Sequence, residues 1–475
     1  MPSEKQKKLL EGPIISSLIF LAVPIVLTNL LQTAYQLIDA FWVGRLGGEA
    51  VAAVSVVFPI SFLAIALGMG FSIAASTLVA QYAGAGKWEE VKHTASQSLF
   101  VALIIGVFLG LLGFLTAPLL LSLMGIEEQI YGAALLVMKI ALATTPFTFL
   151  FISYQSLMRG VGDVMKPLYI VLSTVILNAI LDPILIFGWG PIPAYGVAGA
   201  MIATFLTQGL AAAIGVGYLI KGSHGVQISR KDFAFDVPFL RRLFFLGIPT
   251  SMEQTVRALS MTIMTVLVAG FGTMAVAAYG VGSNVMMVVI IPALGLSMAV
   301  AALVGQNIGA GKPERATEAV KIGVRFSFAL LTLIGVLTFL GARYVVQFFI
   351  SDDAEVIALA VEYVQVVSFT FGLIGMQMVF FGAFRAAGSP GIAFWLTFVS
   401  QWVLQFPLAY YLSRHTTLGV SGIWWAAPIT HVITVGLCVY WYMRGSWRKA
   451  ALSEEDTLAE HVAEEILIEE GVRKV

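Results

Sequence analysis

Twelve runs of about twenty or more mostly apolar residues, separated by short polar stretches, set the limits on what this chain can fold into. They begin near Pro13, Ala50, Thr94, Tyr131, Pro167, Tyr195, Arg242, Met274, Lys321, Val356, Gly391 and Gly419. A helix of about 20 to 25 apolar residues crosses the hydrocarbon core of a bilayer. Between residues 12 and 443 each run and its loop share only about 36 residues, which leaves little chain for extramembrane domains. Composition points the same way, with 59% hydrophobic and 11% charged residues, against roughly 25% charged in globular proteins. The expected fold is an all-α membrane protein of twelve transmembrane helices, and a soluble domain is excluded. The 27 Lys+Arg equal the 27 Asp+Glu, so no global basic field points to a nucleic-acid partner. Cys438 is the single cysteine, which excludes an internal disulfide and a cysteine metal site. The charged start, MPSEKQKKLLEG, leads into an apolar run too long for a cleavable signal and is expected to be a cytoplasmic segment.

Charge fixes the expected orientation. With both termini in the cytoplasm of a multi-pass protein of the cell (inner) membrane, 22 of the Lys and Arg residues fall inside, among them Lys87, Arg159, Lys166, Arg230, Lys231, Lys312, Arg315 and Arg385. Arg45, Arg343 and Arg414 fall outside, and Lys139 and Arg257 lie within spans. A bias of 22 to 3 follows the positive-inside rule.

The chain is also two copies of one half. A shift of 225 lays Gly47 on Gly272, Gln81 on Gln306 and the Gly84-Ala85-Gly86-Lys87 loop on Gly309-Ala310-Gly311-Lys312. Between 47 and 89, 18 of 43 positions are identical, where chance in so biased a composition gives about 4. Arg159 answers Arg385, Pro183 answers Pro407, and Gly196-Val197-Ala198-Gly199 answers Gly419-Val420-Ser421-Gly422 with small shifts. Six spans per copy means that both halves enter the membrane the same way up, as two pseudo-symmetric six-helix bundles about an axis along its normal. That geometry suits alternating access. The expected organisation is a cytoplasmic N-terminus over 1–12, a first lobe over 13–220, a cytoplasmic connector over 221–241, a second lobe over 242–443 and an acidic cytoplasmic tail over 444–475.

Ionisable groups inside a span are costly, on the order of 2.5 to 3.5 kcal/mol on insertion scales, so the few present are candidates for function. Asp39 in the first helix and Asp182 in the fifth lie at similar depth, about 9 to 10 Å below the outer ends of their helices. Gln32, Tyr35 and Asp39 share one helical face, and Asn178 lies one turn from Asp182. Together they could line one polar pocket for a proton, shared where two carboxylates meet out of water, or for a sodium ion, which takes carboxylate, amide and hydroxyl oxygens. Pro183 frees a backbone carbonyl nearby. Simple helix packing is the alternative. The repeat makes the pair one-sided, because the positions answering Asp39 and Asp182 are Met264 and Phe406. Met264, Met286, Met287, Met376, Met378, Phe380, Phe381, Phe384 and Phe406 in the second half either line a soft substrate surface or merely pack. Glu253 and Arg257, four apart, read as an ion pair or a second coupling site. Lys139 would hold a carboxylate ionised if it paired with Asp39 or Asp182. Pro24, fifteen residues before Asp39, is a candidate hinge or a static kink.

The glycine-bearing loops after Gln81 and Gln306 read as helix stops, since no Gly-x-x-x-x-Gly-Lys-Ser/Thr pattern is present. The tail from Ser453 to Val475, with Leu458, Val462 and Ile466 four apart, reads as a short solvated helix.

With Pro24, the Asp39-Ala-Phe-Trp-Val-Gly44 turn, the duplicated Gln81/Gln306 and Gly-Ala-Gly-Lys loops, Arg159-Gly-Val-Gly-Asp163, and Asn178 with Asp182-Pro183, the chain resembles the multidrug and toxic compound extrusion (MATE) family from about residue 12 to 443. The resemblance implies a V of two bundles and export of amphipathic, often cationic compounds in exchange for inward sodium or protons. It is most similar to the prokaryotic DinF-type branch, whose first lobe carries coupling aspartates and a bendable first helix. The matching positions are Gln32, Tyr35, Asp39, Asn178 and Asp182, with Thr204 completing the set; Asp39, Asn178, Asp182 and Thr204 would hold the ion if it is sodium. Glu253 resembles the seventh-helix acid of another branch, but Phe369 to Phe384 carries no carboxylate to complete that second site.

The expectation is therefore a cation-coupled antiporter, monomeric, working on small amphipathic molecules in a lipid bilayer, with no cofactor beyond H+ or Na+. A lipid or lipid-linked oligosaccharide flippase of related fold is the alternative, disfavoured by the scarcity of cations within the spans. An intramembrane enzyme would need a nucleophile or a metal set such as His-Glu-x-x-His, which is absent; His431, the histidine within a span, has no ligand partner at helical spacing. A major-facilitator carrier usually has an acidic and arginine-rich loop between spans two and three, absent here.

Overall fold

The computed structural model describes residues 4–222, 225–228, 236–350, 353–445 and 447. Arg230, Lys231 and the acidic tail from Ser453 lie outside the described residues. The described chain is helical. A short helix α1 (Glu4–Glu11) precedes six long helices, α2 (Ile14–Gly44), α3 (Gly48–Gly84), α4 (Trp88–Leu123), α5 (Glu128–Gly160), α6 (Met165–Phe187) and α7 (Val197–Lys221). The second half repeats them as α8 (Val237–Ala269), α9 (Thr273–Gly309), α10 (Pro313–Leu340) followed by the short α11 (Ala342–Phe349), then α12 (Ala354–Ser368) with α13 (Phe371–Ala386), then α14 (Pro390–Phe398) and α15 (Phe406–Arg414) joined by a π-helical turn at Val399–Gln405, and finally α16 (Val420–Arg444).

Ten of these spans are long and apolar enough to cross a bilayer, and α12 with α13 forms an eleventh, bent by 51°. The twelfth is α8, which is 33 residues long but is made less apolar by Arg241, Arg242, Glu253 and Arg257. It begins at Val237, so Arg241 and Arg242, placed by sequence at the connector's edge, sit in its second turn. Phe108, Leu115, Leu119, Leu337 and Tyr440 stand exposed on the bundle surface, as side chains do when lipid is their solvent.

Packing divides along the membrane normal. Call the ends of the helices near Lys87 and Lys312 the basic end. Toward the opposite end, the buried clusters stay within one half: Ala53, Val57, Ala117 and Leu121 in the first, Ala278, Val346 and Val364 in the second. Toward the basic end, the clusters cross. Leu18, Leu21, Ala22 and Ile25 of α2 pack into the core of α9, α10 and α13. Phe239, Leu243 and Leu246 of α8 pack into the core of α3, α4 and α5. The two lobes are therefore fused at the basic end and separate cores at the other, a V closed on its basic side.

The duplicated loops explain that closure. Gln81 Nε2 donates to Ala386 O in the other lobe at 2.8 Å, and Gln306 Nε2 donates to Gly160 O at 2.8 Å, two bonds related by the repeat. Thr77 Oγ1 adds a bond to Arg385 O at 3.3 Å. A Cβ on Gly84 would collide with Gln306 O, and one on Gly309 with Gln81 O, so these glycines let the two backbones touch. Their role is close approach, besides ending helices. Helix α1 straps the seam: Gln6 bonds Ala83 O, while Arg315 bonds Leu9 O and Gly12 O. Gly309→Val is accordingly expected to pry the basic ends apart, at an overpacking cost of about 1 to 3 kcal/mol. Spin labels at Ala85 and Ala310 would report a longer distance than in the parent protein.

Candidate functional site

Two sites stand out, one inside the first lobe and one between the lobes. The first follows from helical periodicity. Tyr35 and Asp39, one turn apart on α2, face α6 and α7, where Asn178, Asp182, Thr204 and Thr207 lie. Thr204 Oγ1 donates to Asp39 Oδ2 at 3.2 Å, Asn178 Nδ2 donates to Asp182 Oδ1 at 3.2 Å, and Tyr35 and Thr207 share a hydrogen bond of 2.6 Å. The Asp39 and Asp182 carboxyls adjoin each other. Asn178, Asp182 and Thr207 are fully buried. Three oxygens there, Asp39 Oδ1, Asp182 Oδ2 and Asn178 Oδ1, are buried without a hydrogen-bond partner. Buried polar atoms in native proteins rarely stay unpaired. Two adjoining carboxyls with free oxygen lone pairs out of water suit a shared proton or a hard cation held by oxygens. Among the described residues no group of three or more His, Cys, Asp or Glu forms a transition-metal site.

Five of the sequence candidates thus come together: Tyr35, Asp39, Asn178, Asp182 and Thr204. Gln32 does not join them; it is exposed and lies one turn nearer the basic end. Lys139 does not reach the aspartates either, because its Nζ lies over the Phe114 ring at 5.2 Å. Thr207 is a member that sequence reasoning missed, although its place one turn after Thr204 on the same face of α7 was the available signal. Pro24 lies buried in an unbroken α2, whose Val26 packs against Gly295 of α9. At the equivalent place in the second lobe, Met264 and Phe406 belong to a hydrophobic cluster and no carboxylate replaces the aspartates.

The second site is a cavity of about 320 Å³ between the lobes, walled by α3, α5, α8, α9 and α13. Its charged residues are Glu253 with Arg257, Arg385 and Arg159. Glu253, 1% exposed, binds Arg257 Nη2 through Oε1 at 3.0 Å and Arg385 Nη1 through both oxygens at 2.9 Å. The ion pair anticipated between Glu253 and Arg257 is therefore a triad. Arg159 and Arg385, assigned by sequence to the cytoplasmic charge set, turn inward from the last turns of α5 and α13. The cations that seemed scarce within the spans are concentrated here. Of the Met and Phe residues proposed as a lining, Met378 and Phe381 face the cavity; Phe384 is core and Met287 is exposed on the outer surface. His431 bonds Gln377 Oε1 at 2.9 Å through Nδ1.

Comparison with known proteins agrees with this architecture. The MatE family model matches twice, over residues 24–184 and 249–411, in step with the duplication. The chain is 29% identical over 438 residues to the probable multidrug resistance protein YoeA of Bacillus subtilis, covering 91% of this chain and 94% of that one. It is 28% identical to a FAD transporter of Shewanella oneidensis, covering 95% and 99%. A solved structure described as the outward-facing conformation of a multidrug resistance MATE family transporter superposes with a TM-score of 0.88 at 25% identity, covering 94% and 99%. With the family model spanning both lobes and the fold matching over nearly its whole length, the chain belongs to the MatE family of multidrug-export transporters.

Proposed function

We propose that this transporter is a secondary antiporter that expels amphipathic compounds as H+ or Na+ moves inward through the Asp39–Asp182 pocket. The observation that carries the reading is the adjoining pair of carboxyls, buried with three oxygens unpartnered, in one lobe of an otherwise duplicated structure. The charge bias supports placing the basic end in the cytoplasm of the cell membrane, in which case the closed basic end makes this the outward-facing state. A proton would sit between the two carboxyls; a sodium ion would draw on Asp39, Asp182, Asn178 and Thr204. Either ion shifts the transporter between states only if it binds one state better than the other, and the same holds for the cargo. Pro24 is the proposed point at which α2 yields when the pocket changes charge.

The test is efflux from proteoliposomes under pH and sodium gradients imposed separately. Transport driven by one gradient and unaffected by the other is the expected result and names the ion. Substrate movement indifferent to both gradients, with the pocket intact, would remove the antiport reading.

A further inference from the structure

The inter-lobe cavity has the wrong charge for the cationic compounds that the family resemblance implies. Three guanidiniums face one carboxylate across it, an excess of two positive charges inside a membrane protein. Arg257 and Arg385 share Glu253, but Arg159 bonds only the neutral Ser156 hydroxyl, at 2.5 Å, and has no carboxylate partner among the described residues. Arg257 Nε is also buried without a partner. A cation that lines a buried cavity without a counter-ion is costly and suits a site for an anionic ligand. A guanidinium presents a planar fork that matches carboxylates and phosphates in bidentate fashion. Besides the polar Ser76, Thr77, Gln254 and Ser297, the rest of the wall is largely apolar and deformable, with Met69, Met261, Met298, Phe62 and Phe381. Its volume is at the small end of the drug-sized range.

The repeat adds a mechanical element. Arg159 and Arg385 are mates 226 residues apart, one on each lobe, both pointing into the cavity from the last turn of their helices. An anionic head placed between them is held by both lobes at once, so its grip depends on the lobes being together at the basic end. The affinity for such an anion therefore depends on whether the basic end is closed, being higher while it is.

We propose that the cavity takes amphipathic anions: a carboxylate or phosphate head clamped by Arg159 and Arg385, with the aromatic or apolar body lying against the methionines and Phe381. The proposal rests on the transporter reading for its purpose, but its test measures binding without a gradient, so failure here and failure of ion coupling are separable. The head group could belong to a soluble compound or to a lipid.

Purified full-length protein in neutral detergent is titrated with carboxyfluorescein, an anion, and with rhodamine 6G, a cation of similar size, followed by fluorescence anisotropy. Carboxyfluorescein is expected to bind more tightly, and to weaken as KCl is raised from low to high concentration. Arg159→Gln should weaken it roughly ten-fold without changing rhodamine 6G, and Arg159→Lys should fall between, since it keeps the charge and loses the fork. For the lipid source, NBD-labelled phosphatidylglycerol in proteoliposomes is followed by dithionite quenching. Movement of that lipid, lost in Arg159→Gln, assigns the same head-group chemistry to a membrane substrate even where carboxyfluorescein does not bind. Tighter binding of rhodamine 6G by the parent protein, or a folded Arg159→Gln that handles both anionic probes as the parent does, overturns the proposal. Gradient-driven export of rhodamine 6G with neither anionic probe bound or moved would leave the antiporter standing and this inference refuted.

Discussion

Asp39→Asn is expected to abolish gradient-driven efflux while leaving the fold intact. Asparagine has nearly the same shape, and its carbonyl can still accept the bond from Thr204 Oγ1. What it removes is the negative charge and the ability to take up a proton. The variant should therefore transport no faster under a gradient than without one, a loss of ten-fold or more, with a melting temperature within a few degrees of the parent. Asp182→Asn should behave alike, because each carboxyl creates the environment of the other. Binding of cargo in the central cavity should survive both changes, since neither residue lines it. Full coupled transport by Asp39→Asn would take the pocket out of the mechanism.

Glu253→Gln should do the opposite: damage the fold first. Glu253 is buried and, among the described residues, is the one carboxylate that holds Arg257 and Arg385 near each other. Its neutral isostere leaves two guanidiniums facing each other with no counter-ion. Breaking a buried pair from one side costs about 3 to 5 kcal/mol, because the remaining charge is stranded. The measurement is thermal denaturation in detergent, where a clear drop in melting temperature is expected. Pairing the change with Arg257→Gln should recover part of the loss, since the two sites share one network. Glu253→Gln with parental stability would mean that solvent, and not Glu253, neutralises the arginines.

What could be read from the residues alone divides along physical lines. Helical spacing was sufficient to bring Tyr35 and Asp39 to one face and Asn178 to Asp182, because periods of three and four are local geometry. The shift of 225 exposed the duplication, since it needs no knowledge of packing. The inter-lobe latch was hidden: Gln81 and Gln306 look like helix-end residues until the two lobes are laid side by side. That Arg159 and Arg385 line the cavity was hidden for a similar reason. Counting basic residues near helix ends treats each as facing water, whereas a long side chain in a last turn can lie back along its helix toward a cavity. Gln32 failed from the other direction, because its seven-residue separation from Asp39 brings it near the same stripe but not to the same depth.

The exchange of helix beginnings between lobes has a further consequence. The start of α2 is a guest in the second lobe's interior, and the start of α8 a guest in the first. Any swing that opens the basic side must draw both guests out and leave oily surface to be covered elsewhere, with new partners ready before the old ones are gone. The swing is therefore expected to meet a barrier that depends on side-chain size along those two short stretches. Trimming Leu18 or Leu243 would then tune the turnover clock of this machine without touching what it recognises.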